Sequence, residues 1–288
     1  MNRPNRKKSP LVFYKMHGLG NDFMVIDQVT QTVNLTPELV QRWADRHTGV
    51  GFDQLLTIEV PSQPEYDFRY GIYNADGTKA EHCGNGARCV ARLIRELNLS
   101  PKSELRFETP NGSFSTRMLD EQNVEVDMGP PRLEDLAVPF ARDHAASGND
   151  SSFRLDSEFG SHELVPVSMG NPHGVIFVDE ITEAPVAEVG AALTAHPFFP
   201  EQANIGFCQV VDESFIRVRV FERGVGETRA CGTGACAAAV AGHLTQRLGD
   251  RVKVSLPGGK VRIAWPGENA AVTMTGLTTM VYRGSISA

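Results

Sequence analysis

Two cysteines stand at matching glycine-rich corners of the chain. Cys83 begins the stretch CGNGA and Cys231 begins CGTGA, and each stretch runs on into an apolar segment. After Cys83 the apolar residues Val90, Leu93 and Ile94 recur at the spacing of one helix face, which predicts a helix beginning beside the cysteine. Glycines there let backbone N–H groups approach a ligand, and the positive end of the helix dipole favours a thiolate or a small anion. The pattern predicts two reactive thiols of lowered pKa, each beside an anion site.

Two thiols on opposite sides of one carbon can invert a stereocentre. One thiolate removes a proton from one face while the other thiol delivers a proton to the opposite face. The α-proton of an amino acid is a weak acid, so the developing carbanion needs stabilisation. A carboxylate held by two helix N-termini would receive it from fixed dipoles. If two domains carry the cysteines, a cleft that closes over the substrate would also exclude water.

The order of motifs in the first half of the chain recurs in the second half. The alternating stretch FRYGIYN (68–74) precedes the first cysteine, and IRVRVFE (216–222) precedes the second. A hairpin pattern follows each corner, in LRFETPNGSFSTRML (105–119) and in VKVSLPGGKVRIAW (252–265), with turn residues at its centre. The length of the repeat indicates two homologous domains rather than a solenoid, whose units are roughly 20–50 residues long.

Weaker helices are predicted earlier in each half. One covers residues 35–47, where Thr36 before Pro37 is typical of a helix start, and its counterpart lies within residues 186–196. With the many short strands, these helices predict the α/β fold class, of the α+β type.

The proline pair in MGPPRL (128–133) marks the predicted domain boundary. We expect an N-terminal domain of residues 1–127 plus 277–288 and a C-terminal domain of residues 128–276. Residues 1–10 are expected to form a loose solvated tail, and the polar, turn-rich residues 141–153 a surface hairpin or loop.

Composition excludes several classes of partner. The chain has 288 residues, 41% of them hydrophobic, and a net charge of -7, so it has no overall positive field for nucleic acid or an anionic membrane. We find no apolar run near the roughly 18 residues that a membrane helix needs. Five cysteines, an odd number, do not suggest a disulfide framework. We therefore expect a cytoplasmic protein.

Each candidate residue also has an ordinary structural interpretation. Cys89, Cys208 and Cys236 are expected to be inert buried residues. The cysteine spacings do not fit a structural zinc site, and the Gly-x-Gly strings lack the rest of a dinucleotide-binding motif, so neither metal nor cofactor is predicted. Taken alone, His173 and Glu222 are more typical of structural or surface positions. Taken alone, the asparagines fit turn roles.

Long motifs in a fixed order resemble those of the diaminopimelate epimerase family. The resemblance covers residues 11–288, outside the basic tail and the polar insert. It rests on KMHGLGNDF (15–23), GFDQLL (51–56), YNADG (73–77), CGNGARC (83–89), MGNPH (169–173), NIGF (204–207) and ERGVGETRACGTG (222–234).

The resemblance implies an isomerase that interconverts LL- and meso-2,6-diaminopimelate without a cofactor, in the synthesis of lysine and peptidoglycan precursors. It implies two domains, each a mostly antiparallel curled sheet or barrel around a central helix, with the active-site cleft between them. Cys83 and Cys231 would be the acid and base, and His173 and Glu222 would set thiol reactivity or hold the reacting amine. It also implies a homodimer, with Tyr282 at the dimer contact. The substrate would be bound by Asn21, Gln54, Asn74, Gly84, Asn85, Asn171, Asn204, Glu222, Arg223, Gly232 and Thr233.

Three rival interpretations remain open. Racemases of proline or hydroxyproline resemble this pattern but usually carry a histidine where Asn85 stands. A redox-sensing or binding protein could instead form a reversible disulfide between Cys83 and Cys231. An isomerase of similar fold that uses a carboxylate is less compatible with the presence of both cysteines.

Overall fold

The computed structural model describes residues 10–80, 83–133, 140–141, 146–147 and 151–287. The predicted tail lies outside the described residues except for Pro10, and the predicted polar insert is described only in part. Contacts divide the chain into two compact units. The first takes in the described residues up to Val124 and those from Thr278 onward, and the second runs from Glu125 to Leu277. That each unit is a separate domain with the predicted boundaries stays a prediction.

Strands dominate the first part of the chain, with two helices between them. In chain order the elements are β1 (Leu11–Gly18), β2 (Asn21–Asp27), α1 (Pro37–Ala44), β3 (Gln54–Glu59), β4 (Phe68–Asn74), α2 (Gly84–Glu96), β5 (Glu104–Thr109), β6 (Gly112–Met118) and β7 (Asn123–Asp127).

The remainder of the chain has the same mixed character. Its elements are β8 (Ala146–Ser147), β9 (Phe153–Ser157), β10 (Gly160–Ser168), β11 (Pro172–Phe177), α3 (Val186–Thr194), β12 (Asn204–Asp212), β13 (Phe215–Glu222), β14 (Gly226–Thr228), α4 (Gly232–Leu244), β15 (Arg251–Leu256), β16 (Gly259–Ala264), β17 (Thr273–Leu277) and β18 (Thr279–Ile286).

In the first unit the strands pair in the order β18–β1–β2–β3–β4–β5–β6. The pairs β2–β3 and β4–β5 are parallel, and the others are antiparallel. A parallel pair needs a crossover connection, and in each case that connection contains a helix. Helix α1 lies between β2 and β3 in the chain, and α2 lies between β4 and β5.

The second unit repeats this topology. Its strands pair in the order β9–β10–β11–β12–β13–β15–β16–β17, and only β11–β12 and β13–β15 are parallel among these described pairs. Here α3 and α4 supply the crossovers. The recurrence of parallel pairs and helices agrees with the repeat of motifs in the sequence.

One helix in each unit lies against several strands at once. Helix α2 packs against β1, β2, β3 and β6, and α4 packs against β10, β11, β12, β13, β15 and β16. The apolar face predicted for α2 is buried, since Val90, Leu93 and Ile94 are inaccessible to solvent. The predicted α/β fold class is confirmed, and the sheet is curled and unclosed.

Helix α1 is shorter than the sequence pattern predicts. The pattern covers residues 35–47, but the helix ends at Ala44. The Asp45 carboxylate accepts hydrogen bonds from the backbone N–H groups of His47 at 2.8 Å and Thr48 at 2.6 Å. This local turn competes with another turn of helix.

Candidate active site

The first predicted thiol stands at the start of α2. Cys83 is half-buried, and its backbone is extended, with φ −143° and ψ 109°, before the helix begins at Gly84. Its Sγ atom lies 3.5 Å from Oδ1 of Asn21, where the thiol can donate a hydrogen bond. The extended backbone at Cys83 and the start of α2 therefore bring this thiol to the start of β2, where Asn21 lies.

Two asparagines beside Cys83 are joined to each other. Nδ2 of the buried Asn85 donates to Oδ1 of Asn21 at 3.4 Å. Nδ2 of Asn21 in turn donates to Asp53 at 3.0 Å, and Arg88 donates to Oδ1 of Asn85 at 2.8 Å. Sequence reasoning proposed both asparagines but missed Asp53 and Arg88, although both lie inside the motifs GFDQLL and CGNGARC.

Gln54 and Asn74 form a second pair in the same unit. They are directly opposite each other on β3 and β4, and Gln54 Nε2 donates to Asn74 Oδ1 at 3.0 Å. Gln54 follows Asp53 in the chain, so this pair adjoins the asparagines near Cys83. Predicted site residues from four segments thus gather in the first unit, at the starts of β2 and β3, the end of β4 and the start of α2.

The second predicted thiol occupies the corresponding place in the second unit. Cys231 is 4% exposed and precedes Gly232, the first residue of α4. Its Sγ atom is 3.6 Å from Oγ1 of Thr233, and that hydroxyl accepts from Asn171 Nδ2 at 3.3 Å. The duplicated corner therefore places a thiol, a hydroxyl and an amide together.

The environment of Cys231 contradicts the lowered pKa that the helix N-terminus predicts. Burial, followed by the nearby carboxylate of Glu222, raises the pKa of the Cys231 thiol well above its ordinary value. The hydrogen bonds from the Thr233 side chain and the Gly234 backbone lower the pKa by less. Glu222 is held in place by a hydrogen bond from the Thr228 hydroxyl. Cys231 is consequently a thiol at neutral pH.

His173 is enclosed by two of the predicted asparagines. Its Nε2 atom is 3.2 Å from Oδ1 of Asn171 and 3.5 Å from Nδ2 of Asn204. Burial, and secondly the positive charge of Arg223, lower the pKa of His173 to about 3. The imidazole is therefore neutral at physiological pH, and it acts by hydrogen bonding rather than by charge.

Arg223 and Tyr282 complete the predicted set. The backbone N–H of Arg223 donates to Oδ1 of the buried Asn204 at 2.8 Å, and its exposed side chain donates to the carbonyl of Glu201 at 2.6 Å. Tyr282 lies on β18, is 45% exposed and makes an edge-to-face contact with Phe13 at 6.0 Å. It belongs to a surface strand and has no described contact with the predicted catalytic residues.

The described residues also bear on two other kinds of site. No group of three or more His, Cys, Asp or Glu side chains among them could hold a metal ion. None of the helices in the described ranges is long and apolar enough to cross a membrane.

Solved structures define the class of fold. A hydroxyproline epimerase from Agrobacterium vitis superimposes with a TM-score of 0.68 at 14% identity, covering 98% of this chain and 94% of that one. A probable proline racemase from Agrobacterium radiobacter gives a TM-score of 0.67 at 17% identity, covering 96% of this chain and 92% of that one. The chain therefore has the α/β fold that these epimerases and racemases share.

Sequence comparison identifies the family. Residues 13–134 and 165–281 match the family described as Diaminopimelate epimerase. A protein of that name from Pseudomonas aeruginosa is 51% identical over 276 residues, which are 96% of this chain and 99% of that protein. One from Azotobacter vinelandii is 50% identical over the same length and with the same coverage. The chain belongs to the diaminopimelate epimerase family, and the predicted resemblance is confirmed.

Proposed function

We propose that this chain is an isomerase that interconverts LL- and meso-2,6-diaminopimelate by moving a proton at one α-carbon, without a cofactor. Family membership over nearly the whole chain supports the substrate. The observation that carries the chemistry is the repeated corner, in which Cys83 and Cys231 each precede the first glycine of a buried helix.

The proposed reaction uses the two thiols as a base and an acid. One cysteine, as the thiolate, takes the α-proton, and the other, as the thiol, gives its proton to the opposite face of the carbanion. The reaction inverts the carbon and leaves the two cysteines with exchanged protonation states. The mechanism requires both sulfur atoms to reach one α-carbon, and the reverse reaction uses them in the opposite order.

The carboxylate on the reacting carbon would bind at the N-termini of α2 and α4. Gly84 and Asn85 of α2, and Gly232 and Thr233 of α4, lie in the first turns, where backbone N–H groups are available to an anion. Fixed donors and dipoles stabilise negative charge as it develops on the carboxylate in the transition state.

Glu222 would bind the reacting ammonium group. Its carboxylate disfavours the Cys231 thiolate in the unliganded site, so a cation bound to Glu222 would remove this repulsion and allow the thiolate to form. The Nε2 atom of the neutral His173 would donate to Asn171 Oδ1 in one tautomer or accept from Asn204 Nδ2 in the other. The distal amino-acid group would bind to Arg223 together with Asn21, Gln54, Asn74 and Asn204, because a guanidinium can grip a carboxylate through two hydrogen bonds.

We further propose that the protein is a cytoplasmic homodimer. The edge strand β18 exposes Val281 and Tyr282, which are apolar and aromatic side chains suited to a second copy of the chain. A reducing compartment would keep the proposed catalytic thiols reduced.

A proline or hydroxyproline racemase is the second candidate, because the fold likeness includes proteins of those names. The polar groups around Asn21, Gln54 and Asn74 favour a substrate with a second polar head over the apolar ring of proline.

Proton NMR in D₂O distinguishes these substrates. Reduced protein, with no added cofactor or metal, is incubated with LL-diaminopimelate and separately with L-proline. We expect loss of the α-proton signal and appearance of the meso isomer with diaminopimelate alone. Exchange with proline alone would move the protein to the racemases, and no exchange with either substrate would refute the proposed activity.

A further inference from the structure

Four side chains of the first unit form a hydrogen-bond chain that runs in one direction. Arg88 Nη2 donates to Asn85 Oδ1 at 2.8 Å, Asn85 Nδ2 donates to Asn21 Oδ1 at 3.4 Å, and Asn21 Nδ2 donates to Asp53 Oδ2 at 3.0 Å. An amide can be turned over so that its oxygen and nitrogen exchange places. A guanidinium only donates and an ionised carboxylate only accepts, so the two ends of this chain fix both amides.

Both ends of the chain are themselves held. Arg88 is fully buried in α2, and its Nη1 is 3.5 Å from the carbonyl oxygen of Gly84. The Asp53 carboxylate accepts from Arg46 Nη2 at 2.7 Å and from the backbone N–H of Asp22 at 3.1 Å. Neither charged group can turn away without losing these partners.

The direction of the chain decides which atom of Asn21 faces Cys83. The atom is Oδ1, an acceptor, and it lies 3.5 Å from the sulfur. A thiol can donate to this oxygen, whereas a thiolate cannot. A reversed amide would present Nδ2 to the sulfur and stabilise the thiolate instead.

We propose that Arg88 and Asp53 are positioning residues that keep Cys83 preferentially protonated by fixing the orientation of the Asn21 amide. This inference rests on the proposed function, in which Cys83 is one of the two proton-transfer thiols. It deepens that function, because a thiol poised to donate is what the acid of the pair requires.

The second unit lacks the charged ends. In the repeat, Cys236 stands at the position of Arg88, and Cys208 stands at that of Asp53. The amide that corresponds to Asn21 is Asn171, which contacts a hydroxyl and an imidazole, each able to donate or accept. The two half-sites therefore control their thiols by different means.

Two further titratable groups among the described residues near Cys83, Tyr70 and Cys89, are uncharged at neutral pH. The hydroxyl of Tyr70 is 3.5 Å from the Cys83 carbonyl oxygen, and burial raises the pKa of Tyr70 well above its ordinary value. Burial also raises the pKa of Cys89 to about 12. Arg88 and Asp53 are the charged groups at the two ends of the hydrogen-bond chain, so substitutions there test its effect on Cys83.

A double-mutant cycle separates the orientation of the amide from simple charge effects. In Asp53→Ala or Arg88→Gln alone, the remaining charged end still fixes the chain, so the pKa of Cys83 shifts only as the lost charge demands: down for Asp53→Ala and up for Arg88→Gln. In the double variant neither end of the hydrogen-bond chain has a group that only donates or only accepts. The amides of Asn85 and Asn21 can therefore turn over. If the two single shifts were additive, they would define an expected Cys83 pKa for the double variant. We expect the measured pKa to lie about one unit below that value, which corresponds to a roughly tenfold larger thiolate fraction.

The pKa is measured on the full chain from the rate of Cys83 alkylation by iodoacetamide against pH, read on the Cys83 peptide by mass spectrometry. Asp67→Ala is the matched control, because Asp67 also accepts from a cation and a backbone N–H, those of Lys102 at 2.5 Å and Arg106 at 2.8 Å. This control should leave the Cys83 titration unchanged. Additive shifts in the double variant would overturn the proposal.

A measurement on the unmodified protein covers the case in which the double variant does not fold. Neutron diffraction after exchange into D₂O locates the deuterium atoms of the Asn21 amide. We expect them on the atom facing Asp53, and deuterium facing Cys83 would overturn the proposal. Neither experiment uses a substrate, so failure here is distinguishable from failure of the proposed function, which is read from turnover.

Discussion

The close approach of α2 to the sheet makes Gly86→Ala a sharp test of how the Cys83 corner is positioned. A Cβ atom at Gly86 would lie 2.6 Å from the Tyr70 hydroxyl oxygen and 3.1 and 3.2 Å from the two methyl groups of Leu56. The Leu56 methyl groups can give way by a few tenths of an ångström. Tyr70 is 1% exposed and packs edge-to-face on Phe114 at 5.3 Å, so its ring has no room to retreat. The helix must therefore move away from β4.

The expected magnitude follows from two opposing effects. Alanine stabilises a helix interior by about 1 kcal/mol relative to glycine. Overpacking a tightly packed core costs about 1–3 kcal/mol. We expect the free energy of unfolding to fall by about 0–2 kcal/mol, which is the difference between these two effects. We also expect kcat to fall roughly 10- to 100-fold, because Cys83 directly precedes α2 and a shift of about 1 Å in a catalytic group has an effect of that size.

A second substitution, at Tyr70, can relieve this clash. Tyr70→Phe removes the oxygen atom that the new Cβ would meet, at the loss of one long hydrogen bond worth about 1 kcal/mol. Gly86→Ala combined with Tyr70→Phe should therefore recover most of the stability and turnover lost in Gly86→Ala. Urea unfolding and α-proton exchange measure the two quantities. Gly249→Ala is the control, because its Cβ would meet only the Glu213 carbonyl oxygen at 3.8 Å. Unchanged stability and turnover in Gly86→Ala, or no recovery in the double variant, would refute this account.

Further substitutions test the proposed chemistry and the charge state of His173. Cys83→Ser and Cys231→Ser should each lower turnover by orders of magnitude, since a hydroxyl is a far weaker base than a thiolate. Cys89→Ala is the control and should remain active. Near-normal turnover in either serine variant would remove that cysteine from the mechanism. Glu222→Gln should lower the pKa of Cys231, so its alkylation at neutral pH should become faster while turnover falls; slower alkylation would contradict the repulsion inferred here. The pKa of His173 is lowered to about 3 in the folded chain, so as pH falls the unfolded chain binds a proton at this histidine before the folded chain does. The free energy of unfolding should therefore decline as pH falls from about 6.5 towards 3. Urea titrations should give His173→Gln a shallower decline, and equal slopes would contradict the assignment.

The sequence was most informative where the pattern is local. Apolar spacing after Cys83 and Cys231 predicts helices, and α2 and α4 begin at the next residue in each case. The hairpin patterns at 105–119 and 252–265 become the antiparallel pairs β5–β6 and β15–β16. These predictions hold because periodicity, turn residues and burial all favour the same local structure.

Contacts between distant segments were beyond the sequence. The dipole at the start of α4 favours a thiolate at Cys231, but burial and a carboxylate delivered by β13 outweigh it, and only the folded chain brings Glu222 to that sulfur. Asp53 and Arg88 likewise become significant only when strand pairing and α2 bring their side chains to Asn21 and Asn85. Residue types indicated the chemistry, whereas the orientation of the amides and the protonation of the thiols depend on the tertiary structure.

The central claim, that two different sulfur atoms serve one carbon, is tested most directly by where solvent deuterium appears at the start of the reaction. LL-diaminopimelate is incubated with the reduced protein in D₂O, and mass spectrometry measures label in the product and in the remaining substrate at low conversion. We expect the meso product to carry one deuterium at the inverted carbon while the recovered LL substrate carries none, because the sulfur that takes the proton is not the one that returns a deuteron to the opposite face. Deuterium appearing equally early in the recovered substrate would indicate a single base and would contradict the account.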